Sequence, residues 1–328
     1  MTINPNFPSE LDIKPSLNAF ARLSDDRFGA TAQRRAIETY GIAGRVWEAS
    51  YAMLAYLDRA SSALDFRDDL ELDPLPFTEA HRGQAPSSDV LTILELGSGA
   101  GLVATRISSY LREGRDAMII TDLPEVCPLL QHNLRGSAVV EVHPLSWGSR
   151  QDALSIASSL ALSPERHLTH IICSDLHTHQ HGLSQVYFPA LLAPLLRTLL
   201  DLTSEPVTPP PQEPPEVIIS YRIRSLAKET PFWAAFGLWF AFSPVLARQK
   251  ARTADTPDGH GWERFVSAPG QEETFVFVAR RRPESRAWDV PESDEDLLGG
   301  VGAGGSPGRK ADDTFETILL MSLDPMDV

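Results

Sequence analysis

The chain has 328 residues, 42% of them hydrophobic, enough to bury a sizeable core in one large domain with extensions. A net charge of −15 with no basic stripe excludes a surface built to neutralise phosphates, and no apolar run is long enough to span a bilayer. The two cysteines, Cys127 and Cys173, exclude a disulfide framework, and the first seventeen residues lack the basic and apolar regions of a signal peptide. A cytoplasmic or nuclear protein with no nucleic-acid or membrane partner is therefore expected.

Residues 1–36 carry no sustained period. From Ala36 to Leu57, apolar residues at 46, 49, 53, 54 and 57 recur at helical spacing, after a loop marked by Gly41 and Gly44. Trp47 stands at the helix entrance, where a core anchor is the plain reading. Ser61 to Asp89 is polar, acidic and proline-containing, and reads as a linker. Val90 to Leu96 is an apolar run of the kind that forms a buried parallel strand, closed by Glu95-Leu96-Gly97-Ser98-Gly99-Ala100-Gly101. A helix follows, then a second strand, Ala117 to Thr121, ending in Asp122.

Leu123 to Gly136 reads as a second crossover helix, with Pro124 in its first turn and Gly136 at its stop. A third strand, Ala138 to Val142, leads into His143-Pro144-Leu145-Ser146-Trp147-Gly148, a loop expected at the carboxyl edge of the sheet. There Trp147 could lie against an adenine face or cap the core. A helix is predicted over Leu154 to Leu162, a fourth strand over Leu168 to Cys173 and an apolar helix over Phe188 to Leu202. Thr203 to Pro215 holds six prolines and reads as an exposed loop; Val217 to Tyr221 is a fifth strand.

Thr230-Pro231 is expected to start a helix whose Phe232, Trp233, Phe236, Trp239 and Phe240 form one stripe, read as core rather than pocket. Pro244 to Ala247 and Thr274 to Ala279 are expected to close the sheet as an antiparallel pair. From Arg281 onward eleven acids face five bases, and the stretch reads as a disordered acidic tail. Within it, Phe315 to Leu323 could form a short partner-binding helix.

The chemistry points to the turn after the first strand. Glycines at 97, 99 and 101 let the backbone bend sharply and approach a ligand, while the following helix aims its free N–H groups at the bend. Asp122, at the end of the neighbouring strand, is placed to accept hydrogen bonds from ribose hydroxyls. The dinucleotide fingerprint needs G-x-G-x-x-G, but Leu102 stands where its last glycine would fall. An acid two residues before G-x-G-x-G instead resembles the turn of S-adenosylmethionine-dependent methyltransferases.

Further segments narrow the resemblance. Gly44-Arg45-Val46-Trp47, the turn from Glu95 to Leu102, Thr121 to Asn133, Leu145-Ser146-Trp147-Gly148 and the Tyr187-Phe188-Pro189 to Leu200 helix resemble the seven-β-strand protein lysine methyltransferases, a family with members that act on elongation factors and chaperones. Lys228 to Phe240 is similar to its fungal members. The resemblance, which covers roughly Gly41 to Arg280, implies an α/β fold with a Rossmann-like seven-stranded sheet and helices on both faces. It implies S-adenosyl-L-methionine as cofactor, held by Trp47, Glu95, Gly97, Ser98, Gly99, Gly101, Asp122, Trp147 and Ser174, and a protein lysine as substrate. The expected division is an N-terminal extension over 1–89, the methyltransferase domain over 90–280 and the tail over 281–328.

One departure concerns catalysis. The family ends its fourth strand with D-x-x-Y, but here Asp175-Leu176 is separated from Val186-Tyr187 by nine residues, His177 to Gln185. Read as an insertion, this segment leaves Asp175 and Tyr187 as the expected catalytic pair, positioning the lysine amine and walling its pocket. His177, His179 and His181 would share one face of an extended segment and could hold a metal. With no second cluster of ligands, a solvated loop and no metal are expected. Two other readings stay open: a small-molecule methyltransferase, and a methyltransferase fold whose insertion has cost it catalysis.

Overall fold

The computed structural model describes residues 6–7, 12–16, 25–57, 70–78, 90–161, 167–174, 191–209, 213–250, 261–267 and 273–322. Its centre is a seven-stranded sheet made of β2 (Thr92–Leu96), β3 (Ala117–Asp122), β4 (Val140–Pro144), β5 (His170–Ser174), β6 (Glu216–Arg222), β7 (Phe240–Pro244) and β10 (Thr274–Arg281). The strand order is β4-β3-β2-β5-β6-β10-β7, with the first five parallel and β10 antiparallel to both its neighbours. β2 lies at the middle of the parallel set, and the chain turns to opposite sides of it through β3 and β5. Open α/β sheets bind ligands at such a switch point.

Strand side chains alternate between two faces, and the central strands are buried on both. Ile93, Met118, Ile120, Ile172 and Ile218 face one core, with helices α2 (Glu48–Leu57) and α3 (Leu102–Ser108). Leu94, Ile119, Ile171, Cys173, Val217 and Ile219 face the other, with α5 (Arg150–Ala161), α6 (Leu192–Leu202) and α7 (Leu226–Trp239). The expected Rossmann-like α/β sheet with helices on both faces is therefore what the chain forms.

Before the sheet, α1 (Ala30–Tyr40) and a 3-10 turn over Gly41–Gly44 lead to α2, whose first turn sits at the carboxyl edge. Gly44 packs so tightly that a Cβ there would lie 2.2 Å from the Ala36 carbonyl carbon. The segment read as a linker holds a strand, β1 (Leu70–Asp73), which joins β8 (Leu246–Gln249) and β9 (Glu263–Arg264) in a small antiparallel sheet. Non-local pairing decided this, since four alternating residues carry little periodic signal of their own. α4 (Cys127–Asn133) completes the second crossover.

Four further expectations are corrected. The aromatic helix begins at Leu226, not at Thr230: Ser225 is its N-cap, and the Glu229 carboxylate accepts from the Ser225 N–H at 2.9 Å, so the first turn is secured ahead of Pro231. The partner of β10 is Phe240–Pro244, which leaves the helix without a loop; the residues after Pro244 go to β8 instead. The proline-rich loop after α6 is partly buried, with Thr203, Val207 and Thr208 inside the protein.

The largest difference is at the C-terminus, where residues 282–322 are folded and not a disordered tail. They form a 3-10 turn over Pro283–Ala287, α8 (Asp294–Leu298) and α9 (Thr314–Ser322). Phe315 is fully buried and stacks on Trp233 with ring centroids 5.0 Å apart, and Arg197 on α6 donates to the carbonyls of Pro291 and Glu292 and pairs with Asp294 at 2.9 Å. Most acidic residues of this stretch stay at its surface, although Asp312 packs against α7 at Gly237 and one Glu316 carboxylate oxygen is buried, while a few apolar side chains anchor it.

Candidate active site

The cavity at the carboxyl edge, about 240 Å³, is lined by the glycine turn, the start of α2, the end of β3, the Trp147 loop and the end of β5. The turn takes its shape from backbone demands. Gly97, Gly99 and Gly101 have φ of 64°, 53° and 80°, a region that L side chains enter only with strain. A Cβ on Gly97 would come 3.1 Å from Trp147 Cζ2, and one on Gly99 would come 3.2 Å from the Ala43 carbonyl oxygen. The turn is tied to β3: Ser98 N–H donates to the Thr121 carbonyl at 2.9 Å, and Gly99 N–H donates to Asp122 Oδ2 at 2.8 Å.

Asp122 also accepts from the Leu123 N–H at 2.8 Å, so both its oxygens are oriented by amides. Burial pushes its carboxyl up to about 6, the two amides opposing the shift and the charge of Glu125 adding to it. Beneath the turn lies Glu95, 1% exposed and pushed up to about 8, chiefly by burial, with a hydrogen bond from Ser98 opposing and the charge of Asp122 adding. One of its carboxyl oxygens is buried with no hydrogen-bond partner. Near neutral pH, a protonated Glu95 below an ionised Asp122 is the arrangement that avoids two buried like charges.

Two indoles wall the cavity. Trp47 donates from Nε1 to the Ile42 carbonyl at 3.1 Å, and the Arg45 guanidinium lies over its ring at 4.3 Å from the centroid. Trp147 is held from both sides of its loop, where Ser146 N–H donates to Asp152 Oδ2 at 2.9 Å and Gly148 N–H to Thr198 Oγ1 at 2.8 Å. Ser174, the last residue of β5, lies 3.4 Å from the Ser50 hydroxyl on α2.

Of the residues expected to hold a cofactor, Trp47, Gly97, Ser98, Gly99, Asp122, Trp147 and Ser174 line this one cavity. Glu95 and Gly101 do not. Glu95 lies under the turn, and Gly101 starts α3 in a left-handed conformation, where a Cβ would meet Leu134 Cδ1 at 2.8 Å. Asp175, Tyr187 and the three alternating histidines fall outside the described residues. Tyr221 and Trp233 are fully buried in the aromatic core and packed edge to face at 5.1 Å, which fits the reading of the aromatic stripe as core. Sequence reasoning missed Asn6, Ala43, Arg45 and Ser50 as lining residues. Arg45 was in view beside Trp47; Asn6 had no local signal, since only the fold brings its carbonyl to the Ile42 N–H, at 2.9 Å.

The sheet order and a glycine turn sealed by an acid on the next strand define the fold of class I, S-adenosylmethionine-dependent methyltransferases. The profile of one family, lysine methyltransferase, matches residues 32–235, and the chain belongs to that family. No curated protein sequence matches it. Among solved structures it is similar to the CurJ carbon methyltransferase, with 14% identity over 70% of this chain and 57% of that one and a TM-score of 0.38. It is also similar to LepI in complex with SAM, at 11% identity, 62% and 46% coverage and a TM-score of 0.36, and to PigF with SAH, at 12% identity, 63% and 55% coverage and 0.33. The chain thus spans only about half the length of these structures.

S-adenosylmethionine is the cofactor of this class, and the cavity residues fit it. Trp47 and Trp147 offer flat apolar walls, Asp122 offers a carboxylate to hydroxyl donors, and the bare Gly97 and Gly99 leave room that a Cβ would fill.

Proposed function

We propose that this protein transfers a methyl group from S-adenosylmethionine to the side-chain nitrogen of a protein lysine. The observation that carries the reading is the coincidence of the lysine methyltransferase profile over 32–235 with one cavity assembled from Trp47, the glycine turn, Asp122, Trp147 and Ser174. When bound, the cofactor supplies a methyl group on a sulfonium, which is already a good leaving group. The protein's part is to hold the nucleophile in line and to exclude water.

A lysine amine has a pKa of ~10.4, so only about one in a few thousand is neutral near pH 7. An apolar, aromatic pocket lowers that pKa by disfavouring the charged form. Asp175 follows Ser174 directly, and Ser174 lines the cavity; in our reading Asp175 positions the amine and Tyr187 walls its pocket. The acidic net charge suits a basic protein substrate, and elongation factors and chaperones are the substrate classes that the resemblance suggests.

The test is transfer of labelled methyl from S-adenosylmethionine into proteins of a cell extract, followed by hydrolysis and detection of methyllysine, with the full chain run beside a variant lacking 177–185. Methyllysine in a discrete protein with the full chain is the expected result. Methyllysine only with the deletion variant would mean that the fold is competent and the insertion disables it. Label confined to small molecules, or none with either chain, would overturn the proposal.

A further inference from the structure

Arg45 is the one cationic side chain among the described residues lining the cavity, and Asp122 the one carboxylate. The guanidinium is an unusual wall. Its side chain is only 10% exposed, one end pairs with Glu48 at 2.5 Å, its plane lies over Trp47 at 4.3 Å, and Nε is buried with no hydrogen-bond acceptor. Position is fixed from behind: the 3-10 turn is locked to α1 through Gly44, and Arg45 N–H donates to the Ile42 carbonyl at 3.2 Å.

A buried guanidinium with an unused N–H carries an unmet desolvation cost, because such groups are nearly always paired in folded proteins. The planar fork suits a carboxylate, which can accept from two of its N–H groups at once. Glu48 meets only part of that demand. The two charged walls also sort the ends of a ligand: Asp122 favours hydroxyl donors and repels a carboxylate, while Arg45 does the reverse.

We propose that Arg45 recognises the α-carboxylate of the methyl donor and so selects a cofactor with an intact amino-acid end. The assignment rests on the reading that this cavity holds S-adenosylmethionine. It makes Arg45 a binding and specificity residue, with Glu48 as the internal carboxylate that competes for the same guanidinium.

The test is calorimetric binding of two ligands to the full chain: S-adenosylhomocysteine, which has the carboxylate, and 5′-methylthioadenosine, the same nucleoside thioether without the amino-acid end. Arg45→Gln should weaken S-adenosylhomocysteine at least about tenfold and leave methylthioadenosine within about twofold. Arg45→Lys, which keeps the charge but loses the fork, should show the same selectivity to a smaller degree, and it carries the test if Arg45→Gln does not fold. Glu48→Gln should leave S-adenosylhomocysteine binding as tight as before or tighter. Equal weakening of both ligands by the Arg45 variants would assign the residue to packing against Trp47 and overturn the proposal, as would no weakening of either. Loss of S-adenosylhomocysteine binding in Glu48→Gln would overturn it too. If the unaltered protein binds neither ligand, the reading of the cavity falls, and this assignment with it.

Discussion

The glycine turn at the carboxyl edge and the aromatic cluster under the C-terminal segment are both tightly built, by opposite means. The turn is local: within a few residues, three glycines adopt positive φ, and one carboxylate from the next strand ties it down. The cluster is non-local, since Trp233 on α7 gathers Tyr221, Phe242, Phe277 and Phe315 from four other segments at centroid distances between 4.8 and 5.5 Å. Backbone geometry shapes a place for a ligand; aromatic burial supplies stability and leaves nothing open. The two should therefore respond differently to substitution.

Phe315→Ala should cost the most stability, about 3–5 kcal/mol, because it empties a fully buried site between Trp233 and Phe277 and loosens the whole C-terminal segment. Thermal or urea unfolding would register this, while affinity for S-adenosylhomocysteine below the transition should stay near the unaltered value. A comparable loss of affinity would erase the distinction between the two regions. Gly97→Ala should show the converse, a stability loss of only about 1–2 kcal/mol from the left-handed backbone and a drop in cofactor affinity of more than about tenfold, since its Cβ crowds Trp147.

Glu95 gives the comparison a pH axis. Its folded-state carboxyl is pushed up to about 8, so between the ordinary carboxylate range and pH 8 the folded protein holds a proton that the unfolded chain has released. Stability from this group is present below the unfolded pKa and declines as pH rises toward 8, by at most about 1.4 kcal/mol per unit. Glu95→Gln should remove that decline, so its Tm should gain on the unaltered protein from pH 5 to 8. Parallel Tm profiles would show that Glu95 does not titrate in this way. Arg197→Ala should have the smallest effect, about 1 kcal/mol in unfolding, because its ion pair with Asp294 is half exposed at the carboxylate end and its carbonyl contacts lie near the surface. Limited proteolysis should then find the stretch around Pro291 more open, with the cavity unaffected.

Much of the site was legible because its requirements are written in adjacent residues. Gly97, Ser98, Gly99 and Asp122 announce themselves through strand, turn and following acid, and Trp147 through its place after β4. Trp47 was ambiguous until α2 was seen to begin at the cavity. Arg45 was visible as a letter, but its stacking, its ion pair and its buried Nε depend on where Glu48 and the 3-10 turn lie. The C-terminal segment was misread for a physical reason: its many acids and glycines dominate the composition, while the few residues that hold it, Phe315 and Leu297 above all, are scattered and become meaningful only against α6 and α7.

The amino-acid sequence by itself determined the buried apolar strands and the glycine turn, because each follows from local pattern, backbone freedom and neighbours a few residues away. Tertiary structure alone decided which strand pairs with β10, that β1 joins β8, that Asn6 reaches the cavity and that residues 282–322 fold. Those outcomes turn on contacts between residues far apart in the chain, and no local preference records such contacts.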